Sequence, residues 1–340
     1  MASLFRSTLR AGVPDKTAFS HNLVAPVSNA LEVKSSSSHR EYAAVTPWAF
    51  EDSGCAPRLP SGSWDSHMHI VGDAERYPLA PTAAYKPSMF NVSQAVTFET
   101  SLGISNVVIV QPSVYGPDNS CLLDALRALG SARARGVVAF SPGAISSSIL
   151  QDWHDLGVRG VRLNVESTGD VVDHAKMGAE LIKYSEAVRP LGWVVQLYVP
   201  LHMIPDLEPI IPTLGVRVCI DHMGAPRLKS CPTTNSPLDP YSLKGFASLI
   251  RLLAHGNTFV KLSAAYRFSG QDDYIQHVEP MARELLRAAP QKVVFATDWP
   301  HTRFEGLDIQ PWVTRVMQWC MDDQELINGV FRDNARTLWA

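Results

Sequence analysis

No apolar stretch in this 340-residue chain reaches the length that a membrane-spanning helix needs. Cysteine is scarce and scattered. Cys55, Cys121, Cys219, Cys231 and Cys320 make five, an odd number, and no two form a CxxC pair. That excludes a disulfide framework and a zinc–cysteine site, and points to a reducing compartment with Cys219 as a small apolar filler. There is no long basic run, and the net charge is −3. Nucleic acid and anionic membrane surfaces are therefore excluded as partners. A GxGxxG loop is also missing from "HIVGDAERYPLAP", the stretch after the first strand candidate, which argues against a dinucleotide-binding open sheet. What these absences leave is an ordinary globular chain.

The first 14 residues, "MASLFRSTLRAGVP", hold Arg6 and Arg10 but no acid. They weakly resemble a mitochondrial transit peptide, and the competing reading is a cytosolic tail. The expected location is the cytoplasm, with the mitochondrion as the alternative. Further on come "SSSSHR" and several prolines. Residues 1–62 read as a poorly ordered or surface-wrapping extension.

From residue 63 a rhythm sets in. Near-continuous apolar runs, rich in β-branched residues, fall at 63–70, 106–111, 136–141, 158–165, 192–199, 216–222, 258–264 and 292–298. Such runs suit parallel strands covered on both faces. Amphipathic stretches at 121–135, 175–188, 241–256 and 274–289 lie between them. This alternation predicts one (β/α)₈ barrel over 63–340, with its chemistry at the carboxyl ends of the strands.

Polar residues collect at those ends. "WDSHMHI" carries His67 and His69 at i and i+2, so that Asp65, His67 and His69 would share one strand face. Ser113 follows the second strand. Arg162 and Asn164 end the fourth, Gln196 and Tyr198 the fifth, and Asp221 and His222 the sixth. Arg267 follows the seventh. Asp298 ends the eighth, and His301 lies just beyond. Each alone is weak evidence; together, at one end of eight strands, they mark a site.

With "YKPS", "LGVRGVRLN", "IDHMGAP" and "ATDWPHT", these residues resemble the amidohydrolase superfamily, and within it the 2-pyrone-4,6-dicarboxylate lactonases. The resemblance runs over 64–340. It implies a hydrolase that opens a lactone or cyclic ester on a small carboxylated substrate. Asp298 would be the base that activates water, and His67, His69 and His222 would polarise the carbonyl. Tyr85, Ser113, Arg162, Tyr198 and Arg267 would contact substrate. Lactone hydrolysis needs a base and a stabilised oxyanion, and a buried aspartate with a raised pKa would suit the first role. Arginines would hold a carboxylate bidentately.

Two positions depart from the lactonase pattern. It has a second arginine where this chain has Thr168, and an asparagine where it has Arg303. One carboxylate clamp is missing and a cation has been added, so Arg303 joins the expected substrate contacts. A related lactone with a bulkier arm fits better than 2-pyrone-4,6-dicarboxylate itself. Gln196 and Tyr198 stand where metal-binding members have a histidine, and Arg162 adds a cation, so no metal is expected. The alternative is zinc on His67, His69, His222 and Asp298, with His202 as a candidate extra ligand. Two rival functions stay open: a metal-dependent decarboxylase, and a barrel kept only for binding. The sequence leaves the oligomeric state open, and reads Trp312, Trp319 and Trp339 as core.

Overall fold

The computed structural model describes residues 58–165, 174–228, 238–269 and 273–340. The expected N-terminal extension lies outside them up to residue 57, as do Cys55, Thr168 and Cys231. Leu59, just before the first strand, packs on the core.

Eight strands follow: β1 Trp64–Met68, β2 Asn106–Val110, β3 Ala134–Val138, β4 Val158–Asn164, β5 Val194–Tyr198, β6 Val218–Ile220, β7 Thr258–Leu262 and β8 Val293–Phe295. They lie in chain order in one sheet, and each pairs parallel to the next. The helices after them are α1 Val92–Leu102, α2 Ser120–Leu129, α3 Ser147–Leu156, α4 His174–Val188, the single turn α5 Ile204–Leu207, α6 Phe246–His255, α7 Tyr274–Ala288 and α8 Gln310–Trp319. This is the (β/α)₈ barrel that the alternation predicts. The ring closes at the carboxyl ends of β1 and β8. The Asp298 amide donates to the His67 carbonyl and the His69 amide to the Trp299 carbonyl, both at 2.8 Å. The seam itself thus ties the HxH pair to the aspartate.

The element boundaries depart from the sequence reading in instructive places. Helices α1 and α3 are not expected from apolar periodicity, because α1 buries only Ala95 and Glu99, and α3 only Leu150. Their caps do mark them. Asn91 and Gln94 form a capping box, Ser146 caps α3, and Gly103 and Gly157 end the two helices in the left-handed region. Helix α6 starts at Phe246, five residues after the expected 241, because Gly245 (φ 100°) passes so close to the Leu201 carbonyl that a Cβ would clash. Strand β8 stops at Phe295, three residues short of 298.

One expectation is corrected. Asp65 does not share a face with His67 and His69. The register of β1 against β2 shifts between Asp65 and Met68, and the Asp65 carboxylate accepts from the His67 amide at 2.9 Å. This local bond stabilises a bulge, which breaks the period of two. Asp65 turns instead to Thr297, whose amide and hydroxyl both donate to it, and lies against Glu99 on α1.

Inside the barrel, Trp64, Val108, Val137, Val194, Cys219, Phe259 and Val294 pack with Leu338 and Trp339 from the chain's end. Trp339 Nε1 donates to Ser66 Oγ at 3.2 Å. Trp312 and Trp319 are buried in the layer between strands and helices. All three tryptophans are core, as read from the sequence.

Candidate active site

Beyond this apolar floor the barrel interior turns polar. Lys261, inward on β7, donates to Gln196 Oε1 at 2.7 Å and His67 Nδ1 at 3.2 Å, and its Nζ lies 3.1 Å from Asp221 Oδ1. Gln196 Nε2 and Arg162 Nε donate to Asp221 Oδ2 at 2.9 and 3.2 Å. Lys261, Asp221, Gln196 and His67 are all fully buried. Burial pushes the Asp221 carboxyl up, but the Lys261 and Arg162 charges outweigh it and hold the group well below the carboxylate range. Burial and the Lys261 charge push the His67 ring well below its usual value, so it is neutral. Sequence reasoning singled out Arg162, Gln196 and Asp221 but missed Lys261. The signal was there in "TFVKLSA": a lysine two residues after Phe259, facing inward on a strand covered on both sides, requires a buried partner.

Asp298 follows β8 with φ 63°, and His222 follows β6 with φ 51°. Both non-glycine residues are held in the left-handed region, a strain that concentrates at functional sites. Asp298 Oδ2 accepts from Arg267 Nε at 2.6 Å and from the Tyr266 hydroxyl at 2.8 Å. Its Oδ1 faces the histidines, 3.6 Å from His69 Nε2, 3.7 Å from His67 Nε2 and 3.9 Å from His222 Nε2. The raised pKa expected from burial is overturned. Burial does push the carboxyl up, but the Arg267 guanidinium prevails and holds it well below the usual range. Burial lowers His222 to about 4, against the pull of Asp298, so this ring too is neutral near pH 7. His222 Nδ1 lies 2.7 Å from Ser263 Oγ. Tyr266 is the second residue that sequence reasoning missed.

The seam has its own buried acids. Burial pushes Asp65 up to about 6 and, with the Asp65 charge, Glu99 well above the carboxylate range. Such a pair holds its proton jointly. Glu99 binds the proton more tightly folded than unfolded. Stability is therefore fully present below its unfolded pKa and falls as pH rises toward its native one. Glu99→Gln keeps the shape and removes the titration. Thermal unfolding of both proteins from about pH 5 to about pH 9 should show the variant gaining on the wild type as pH rises. A difference that does not change with pH would show that Glu99 carries no such proton.

His69, Tyr85, Ser113, Arg162, Tyr198, His222, Arg267, Asp298 and Arg303 line one open cavity, together with Pro112, Asn164 and Thr302. Every residue expected from the sequence to catalyse or bind substrate is there except His67, which sits behind His69. His202 lies in the turn Leu201–Met203 and His301 packs against Tyr266; neither lines the cavity. Near the mouth Arg303 stacks over the Tyr85 ring, 5.1 Å from its centre. Three cations (Arg162, Lys261, Arg267) face two carboxylates (Asp221, Asp298), so the interior carries an excess of one positive charge, and Arg303 adds another.

The amidohydrolase residue pattern matches over residues 64–340. The chain belongs to the amidohydrolase family. It is 32% identical over 252 residues to a 2-pyrone-4,6-dicarboxylate hydrolase of Comamonas testosteroni, covering 72% of this chain and 78% of that one. It is 31% identical over 255 residues to a 4-sulfomuconolactone hydrolase of Hydrogenophaga intermedia, covering 74% and 79%. A solved apo structure from Agrobacterium tumefaciens shares the fold, with a TM-score of 0.69 at 22% identity over 83% of this chain and 97% of that one. Its relatives are hydrolases, and this amidohydrolase is a hydrolase.

Within this family a metal is a natural question. His67 Nε2 and His69 Nε2 are 3.3 Å apart, and Asp298 Oδ1 lies 3.6–3.7 Å from both. Ligands bound to one zinc at about 2.1 Å in a tetrahedron are about 3.4 Å apart, so the spacing alone would suit it. The hydrogen bonds do not. A ligand nitrogen must offer its lone pair, and the ammonium on His67 Nδ1 claims the lone pair on that side, which leaves the proton on Nε2. As bonded, the donor set does not fit a divalent ion.

Proposed function

We propose that this amidohydrolase opens a carboxylated lactone by direct attack of water, without a metal. The observation that carries the reading is Asp298, one carboxylate oxygen of which is fixed by Arg267 and Tyr266 while the other faces the cavity histidines. In this reading the water loses its proton to Asp298 Oδ1. His222, neutral and cavity-lining, donates from Nε2 to the lactone carbonyl as it becomes an oxyanion, with the Ser263 hydroxyl on its Nδ1. His69 borders the attacking water and His67 supports it from behind. Collapse of the tetrahedral intermediate breaks the ring C–O bond, and the leaving oxygen takes up the proton.

Arg162 and Arg267 would hold the substrate carboxylate, with Ser113 and Tyr198 beside it. A bulkier arm, polar or anionic, would reach Tyr85 and Arg303. The positive excess inside the cavity favours such a substrate. Arg267→Met should cost about 2–5 kcal/mol in kcat/KM on carboxylated lactones, since it removes one partner of a desolvated pair. Arg303→Met, at the exposed rim, should cost up to about fivefold, and only on substrates with the second arm. Assays of both variants on lactones with and without each anionic group test the assignment. Unchanged kcat/KM for Arg267→Met on every carboxylated lactone would remove it from the site.

A further inference from the structure

We propose that Lys261 fixes His67 in the tautomer that carries its proton on Nε2, and that this closes the HxH pair to a divalent metal ion. The inference explains the metal-free part of the function proposed above, but it needs no lactone to be tested.

What each group can donate sets the tautomer. A lysine ammonium has three N–H bonds and no lone pair. Lys261 points one at Gln196 Oε1 and one at His67 Nδ1. The nitrogen facing it must therefore be unprotonated, and the neutral ring keeps its proton on Nε2. In the opposite tautomer an Nδ1–H would point toward Asp221 Oδ1, 3.4 Å away. That oxygen takes no hydrogen bond among the described residues, although it is close enough to Lys261 for an ion pair.

The next link agrees. His69 Nδ1 lies 2.8 Å from the Val110 carbonyl, which can only accept, so the His69 proton is on Nδ1 and its Nε2 is a lone pair. His67 Nε2 is 3.3 Å from that lone pair and donates to it. Four groups form a one-way chain: Lys261 to His67, His67 to His69, His69 to the Val110 carbonyl. Each donor has an acceptor, and the two Nε2 atoms that a metal would need are spent on each other.

To bind a metal, His67 would have to move its proton to Nδ1 and find an acceptor there, the arrangement that usually orients a ligating histidine. Lys261 stands in the way and has nowhere to go, since it is fully buried, with its Nζ 5.3 Å from the Trp339 ring centre. Removing its charge would let His67 Nδ1–H turn to Asp221 Oδ1 and would free Nε2. Lys261 is thus a positioning residue that acts through His67.

The test reads the rings and the metal directly. Full-length protein labelled with ¹⁵N-histidine, with His67→Asn to assign the resonance, should show His67 protonated on Nε2 and bare on Nδ1. Zinc added to the wild type and then desalted should be lost. Lys261→Met should bind zinc at least about tenfold more tightly, as expected when outer-shell control of a ligand is changed, and its His67 proton should move to Nδ1. A wild type whose His67 carries its proton on Nδ1, or that retains one zinc per chain with Lys261 intact, overturns the proposal. If Lys261→Met does not fold, the wild-type ring assignment still decides. A wild type that opens no lactone yet shows this ring pattern sinks the proposed reaction and leaves this inference standing.

Discussion

Asp298→Asn should fold as the wild type does and lose at least about a thousandfold in kcat, the loss expected of a central base. The amide oxygen can still accept from Arg267 and Tyr266 at the Oδ2 position, and the barrel seam, made of backbone bonds, is untouched. What disappears is the anionic oxygen facing the histidines. Because the Arg267 guanidinium holds the native carboxyl well below the usual range, it stays ionised throughout the neutral region. No loss of kcat/KM near neutral pH is therefore expected from protonation of this group. Steady-state kinetics on a turned-over lactone checks both points; near-normal turnover by Asp298→Asn would remove it as the base.

The second large effect is on stability. Asp221→Ala should destabilise the protein by about 3–5 kcal/mol, because it leaves Lys261 and Arg162 buried without their counter-ion. Replacing the whole cluster by apolar residues would be far less costly than removing one partner, so the effect reports the orphaned charges rather than the worth of the bridge. Asp221→Asn, which keeps an acceptor for Gln196 and Arg162, should lose less. Denaturant unfolding of the two variants gives the comparison. An alanine variant as stable as the wild type would show that water or a shifted side chain satisfies both cations.

Why was so much of this legible in the sequence, and why not the rest? The barrel follows from a long-range rhythm of apolar runs, which any covered parallel strand must show. The cavity follows from fold topology, since polar groups such as Arg162, His222 and Asp298 can stand at strand ends only where the sheet stops. Helices α1 and α3 were hidden because they bury too little to leave an apolar stripe, and only their caps betray them. Asp65 was misplaced because a side chain bonded to the backbone two residues on creates a bulge, which periodicity cannot foresee. Lys261 was overlooked because a lysine in a strand reads as a surface residue until its neighbours are known. The pKa of Asp298 went the wrong way for a related reason. Burial was legible from the apolar surroundings, but the guanidinium 2.6 Å away depends on how two strand ends meet.

The proposed reaction rests on water attacking the lactone carbonyl. The most direct measurement is a single turnover of an opened lactone in ¹⁸O-water, followed by mass spectrometry of the product. Attack by water places one ¹⁸O atom in the new carboxylate and none in the new hydroxyl. A product that carries no ¹⁸O, whether a rearranged ring or a decarboxylated one, would contradict it.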